Sequence, residues 1–201
     1  MHPSRISTFL FLGFGLASRL VWGQAADQRR HDVELALTYS PQYTNILHGP
    51  HFWQQGATLE LADNVFMGSS RHGAGWVVNV GRYQGRHITS DGESIDLTMG
   101  AVGLRYAFEA DGGRVRLFAQ QLLGVARGTS NVDAFPNPPN GYRSASNSVV
   151  LQTGAGIDIR MSDRFTLRPL QMDWLRTEFN NAESDYQNIY RFSIGVALKL
   201  N

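Results

Sequence analysis

The last thirteen residues limit the fold most. In Ile189–Asn201, Tyr190, Phe192, Ile194, Val196, Leu198 and Leu200 fall on one parity, and Arg191, Ser193, Gly195, Ala197 and Lys199 on the other. A helix would scatter both sets around its axis, whereas a strand puts one on each face. The same period recurs upstream. Val33, Leu35, Leu37 and Tyr39 alternate with Glu34, Ala36 and Thr38; Ala57, Leu59 and Leu61 with Thr58, Glu60 and Ala62. Trp76, Val78 and Val80 alternate with Gly75, Asn79 and Gly81; Val102, Leu104, Tyr106 and Phe108 with Ala101, Gly103 and Arg105. Leu151, Ala155, Ile157 and Ile159 alternate with Gln152, Gly154, Gly156, Asp158 and Arg160.

Two stretches are less regular. In 114–127, Gln121 falls among Leu117, Leu123 and Val125, while Phe118 and Leu122 share a parity with Gln120 and Gly124. Its faces cannot be assigned from the pattern. In 164–179 the apolar parity switches from Phe165 and Leu167 to Met172 and Trp174, with Pro169 at the change. A β-bulge reconciles the two halves, and bulges are among the few places a strand tolerates proline. The pattern predicts eight strands of about ten residues, the length of a tilted strand that crosses a bilayer. Long polar connections (41–54, 84–94, 128–147 and 180–188) alternate with tight turns at 109–113 and 161–164 and a longer connection on the same side at 64–72. Long external loops and short periplasmic turns are the habit of outer-membrane barrels.

The N-terminus carries an address. Residues 1–5 hold Arg5, residues 6–18 (ISTFLFLGFGLAS) lack charge, and small residues follow. This is the order of a secretory signal peptide, too short to span a membrane comfortably. We expect 1–23 to be the signal peptide, cleaved near Gly23 to Ala25, and 24–201 to be one barrel domain. Removing 1–23 takes away Arg5 and Arg19 and turns the formal charge from +1 to −1. A chain so nearly neutral offers no electrostatic basis for binding nucleic acid. It has no cysteine, which excludes disulfides, thiol nucleophiles and Cys-based zinc sites. No later segment is apolar for 18 consecutive residues. An exported chain of this kind is soluble or a closed barrel, because lipid leaves no third way to satisfy backbone groups.

Face chemistry separates those two. The less bulky face is Gly, Ala, Ser and Thr with isolated charges: Glu34, Glu60, Arg105, Asp158, Arg160, Arg168, Asp173 and Arg191. Small side chains and opposite charges suit the interior of a narrow barrel, where charges must pair. The bulky face suits lipid, with Tyr39, Trp76, Tyr106, Phe108, Trp174 and Tyr190 as candidates for interfacial girdles. We therefore expect an all-β, eight-stranded antiparallel up-and-down transmembrane β-barrel. The eight charges form a candidate lumen network.

Catalytic signals are sparse. His87, Ser90 and Asp91 form a HITSD cluster, and His48 and His51 an HGPH pair. Ser, Asp and Gly are ordinary loop residues, and no carboxylate stands at ligand spacing. Gly154 and Gly156 lack the helix and third glycine of a nucleotide fingerprint. No catalytic, cofactor or metal site is expected.

Residues 154–179 (GAGIDIRMSDRFTLRPLQMDWLRTEF) and 187–200 (QNIYRFSIGVALKL) resemble the small outer-membrane β-barrel family of OmpA/OmpX-like domains. Residues 114–128 (RVRLFAQQLLGVARG) resemble that family's fifth strand. The end departs from the family's frequent terminal aromatic residue, with Leu200 and Asn201 in its place. The resemblance implies an eight-stranded barrel in the bacterial outer membrane with both termini periplasmic, and no shared catalytic residues. The expected partners are outer-membrane lipid, the barrel-assembly machinery during biogenesis, and a surface ligand at the external loops. The expected role is structural, adhesive or surface-interactive. The alternatives are a narrow pore or lipid-modifying hydrolase on the same barrel, and a soluble exported barrel that binds a ligand inside.

Overall fold

The structure, a computed structural model, describes residues 29–46, 51–86, 94–130, 144–179 and 186–200. Nine strands run in chain order: β1 (Arg29–Tyr39), β2 (Gln42–Ile46), β3 (His51–Met67), β4 (His72–Arg86), β5 (Ser94–Ala110), β6 (Val115–Ser130), β7 (Ser144–Arg160), β8 (Phe165–Thr177) and β9 (Gln187–Lys199). Each pairs antiparallel with its neighbours, and β9 closes the ring on β1 and β2. Both β1 and β2 lie between β3 and β9, so they are two halves of one stave and the barrel has eight. The break falls at Ser40–Pro41. Proline brings no N–H to the ladder, but its carbonyl still accepts from Phe192 N at 2.9 Å.

The stagger follows from register. Directly opposed residues lead from Asp63 on β3 through Trp76, Leu104, Gln121, Thr153, Trp174, Tyr190 and Tyr43 back to Trp53 on β3, ten residues from the start. In an eight-stranded barrel that shear means a strand tilt of about 40°.

The 164–179 switch is a bulge: register shifts between Arg168 and Gln171 against β9, and between Ile157 and Ile159 against β7. The 114–127 ambiguity is also settled. Arg116, Phe118, Gln120 and Leu122 point inward; Leu117, Leu123 and Val125 point outward. Two bulky apolar residues inside and one glutamine outside had blurred the pattern. Strand length is corrected: the full staves hold 13–17 residues rather than about ten, and β2 and the start of β3 occupy much of 41–54. Strand edges left unpaired would expose backbone polar groups, so pairing continues past the membrane-crossing part. At the opposite end, the β5–β6 turn uses Asp111, Gly112 and Gly113, all at positive φ.

The outer wall is apolar. Leu37, Leu59, Val80, Val102, Leu123, Val125, Ile194 and Val196 are all exposed. Trp76, Tyr106, Phe108 and Phe165 mark its lower edge, and Tyr43, Trp53, Trp174 and Tyr190 its upper edge. Trp174 Nε1 donates to Asn188 Oδ1 at 3.2 Å, and the Tyr39 hydroxyl donates to Gln55. An exposed apolar belt of this extent, rimmed by amphipathic rings, is a lipid-facing surface. A soluble barrel would turn these residues inward. Among the described residues no helix is long and apolar enough to cross a membrane; strands do the crossing.

Candidate functional site

The inward face of every stave contributes to the lumen, which is built in layers. Towards the β5–β6 turn, Phe66, Ala107 and Phe118 form an apolar cluster. An ion-paired layer surrounds it, with Arg116 and Asp158 two residues nearer the turns than the opposed pair Phe118 and Gly156. Glu60 Oε1 accepts from Arg105 and, at 2.7 Å, from Arg168 Nη1. Asp158 accepts from Arg168 Nε at 2.7 Å and from Arg116 Nη2 at 2.7 Å. Arg116 also reaches Asp32 at 2.7 Å and Glu34, and Lys199 Nζ lies 2.7 Å from Asp32. The guanidinium carbons of Arg105 and Arg168 sit 4.2 and 4.5 Å from the Phe118 ring centroid. Flat guanidiniums use the ring face and the carboxylates at once, which lysine could not do.

A second node lies above. Arg191 donates to Asp173 at 3.0 and 3.1 Å and to the Tyr83 hydroxyl at 2.6 Å. Tyr83 continues to Thr58, Ser40 and Ser193 through contacts of 2.7, 3.1 and 2.8 Å. Gln120 joins the nodes, donating to Asp173 at 3.3 Å and accepting from Arg105 Nε at 3.1 Å. In the two nodes together Asp32, Glu34, Glu60, Asp158 and Asp173 face Arg105, Arg116, Arg168, Arg191 and Lys199, so formal charge cancels. Above them Leu97, Met99, Val150, Leu175, Phe179 and Ile189 cap the lumen with an apolar layer. A recess of about 130 Å³ remains in the mouth, over Phe52, Leu97, Phe179 and Ile189.

The structure places Glu34, Glu60, Arg105, Asp158 and Arg168 in the lower node and Asp173 and Arg191 in the upper one. Arg160 stands apart at the rim beside the β5–β6 turn, 3.6 Å from Glu109. Sequence reasoning missed Asp32, Arg116, Gln120 and Tyr83. Asp32 continues the parity of Glu34 and could have been found that way; Arg116 lies in the ambiguous stretch. His48, His87, Ser90, Asp91 and the expected signal peptide lie outside the described residues. His31 Nδ1 sits 3.1 Å from Asp63 on the outer wall, His72 bonds Tyr106, and His51 stacks on Tyr43. The Ser70 hydroxyl accepts from the backbone of His72 rather than meeting its ring. Among the described residues no group of three or more His, Asp or Glu side chains is arranged to hold a metal.

Sealed walls, an apolar belt and an ion-paired interior define a transmembrane β-barrel. No family model and no curated protein matches the sequence. Solved structures do match the fold. Ail, the attachment invasion locus protein of Yersinia pestis, superposes with a TM-score of 0.56 at 11% identity, over 85% of this chain and 97% of that one. Neisserial surface protein A gives 0.54 at 12% identity, over 86% and 99%. The outer-membrane enzyme PagL gives 0.51 at 12% identity, over 81% and 97%. Ail has also been crystallised with the heparin analogue sucrose octasulfate. The chain has the fold of the small outer-membrane β-barrels.

Proposed function

We propose that this protein is an integral barrel of the bacterial outer membrane that works through its external surface, in a structural or adhesive role. The filled lumen carries this reading. Glu60, Arg105, Arg168, Asp173 and Arg191 are each no more than 3% exposed, and among the described residues paired charges under an apolar cap fill the lumen. Residues 1–23 would act as the signal peptide and the assembly machinery would insert residues 24–201. The segments between the strand tops (47–50, 87–93, 131–143 and 180–185) contain Asp91, Glu93, Asp133, Glu183 and Asp185 against Arg143 alone. Their acidity favours a cationic or neutral partner and disfavours a polysulfated ligand like the one bound by Ail.

Three measurements test this. In the outer-membrane fraction, the band is expected to shift in SDS gels on boiling, because a closed barrel resists SDS until heated; an unshifted band in the periplasmic fraction overturns the membrane reading. In planar bilayers the purified protein is expected to show no stepwise conductance, and steady unitary currents would make it a pore. Cells that display it are expected to gain attachment to polycationic surfaces and none to polysulfated ones; the reverse would overturn the assignment to acidic loops.

A further inference from the structure

The outer wall carries one feature that sealing the lumen does not require. Gly100 faces outward on β5, between Val80 of β4 and Val125 of β6. A Cβ there would meet only Asn79 O, at 4.0 Å, so packing does not demand glycine. Its absent side chain deepens a shallow, open groove in the lipid-facing wall, bordered by Val80, Thr98, Val125 and Arg127. Two residues towards the external end, Arg82, Thr98, Arg127 and Asn147 stand directly opposite one another on β4, β5, β6 and β7. All four are exposed. With strands about 4.8 Å apart, the two arginines are roughly 10 Å apart at the backbone, with the Thr98 hydroxyl between them. The stagger of the barrel puts this row at the height of the upper aromatic girdle. Among the described residues neither arginine has a salt-bridge partner; Asp96, one row further out, lies 3.9 Å from Arg86.

We propose that this patch is a seat for one phosphorylated lipid of the surrounding leaflet. One acyl chain lies in the Gly100 groove between Val80 and Val125, and the phosphate rests on Arg82, Thr98 and Arg127. Charge complementarity commits the groove to an anionic lipid: arginine forks match phosphate oxygens, and interfacial arginines attract anionic headgroups. The seat rests on the membrane reading.

The test uses the full chain purified in detergent and native mass spectrometry with lipid A, with dephosphorylated lipid A as control. Lipid A is expected to stay bound and the control to be lost. Alanine at Arg82 or Arg127 is expected to weaken retention about fivefold each, and the double variant at least tenfold. Gly100→Leu, which fills the groove and leaves both arginines, is expected to weaken it as strongly as the double variant. If that variant does not fold, Gly100→Ala reads the same groove. Equal retention of the dephosphorylated form, undiminished binding to the groove-filled variant, or full displacement by inorganic phosphate would each overturn the proposal. The heat-dependent gel shift of the same samples separates that outcome from a failure of the membrane reading.

Discussion

Replacing Glu60 with alanine is expected to lower the unfolding free energy of the barrel by about 3–5 kcal/mol, the usual cost of breaking a buried ion pair from one side. Two cations share this carboxylate. Among the described residues Arg105 keeps only Gln120 as a hydrogen-bond partner, and Arg168 keeps Asp158 and Gln171. Their guanidiniums stay pressed against Phe118, away from water. Glu60→Gln retains an acceptor oxygen and the shape, and is expected to lose less. Urea unfolding followed by tryptophan fluorescence in lipid vesicles reads both. A loss below about 1 kcal/mol for the alanine variant would mean that water enters the lumen and solvates the charges.

Val102→Arg is expected to cost about 2–4 kcal/mol in a bilayer, the depth-dependent cost of a cation on the lipid face. The residue is 57% exposed, and at such a site on a water-soluble protein the change would fall within roughly 0.5 kcal/mol. The same urea titration decides between these. An unchanged midpoint would mean that the belt around Val102 meets water, and the membrane reading would fall with it. The two substitutions act through different media: the first strands charges inside the protein, the second puts one into hydrocarbon.

The outer wall was legible in the sequence because lipid demands one thing of every residue that faces it. Leu35, Leu37, Leu59, Leu61, Val78 and Val80 obey a single rule, so their parity is enough to place them. The lumen obeys a different rule, that contents must fill space and pair. Phe118 and Leu122 can therefore sit inside beside Arg116 and Gln120, and the 114–127 stretch cannot be sorted by hydrophobicity. Pairing partners were less legible still. Arg116 and Asp32 are 84 residues apart and meet across the barrel, a contact that depends on the tilt and stagger rather than on any local spacing. The Arg82, Thr98, Arg127 row is a product of register in the same way, since each member alone reads as an ordinary polar residue near a strand end.

The length of the staves has a consequence for the cell surface. A strand of 17 residues, at about 3.3 Å per residue and a tilt of about 40°, climbs roughly 40 Å. The apolar belt of such barrels is only about 25 Å tall. With short turns at the lower end, most of the surplus stands above the lipid as a hydrogen-bonded collar. On the proposed membrane reading, the paired strand ends form a stiff pedestal that rises through the headgroup layer, and a large partner could reach its top without touching the bilayer.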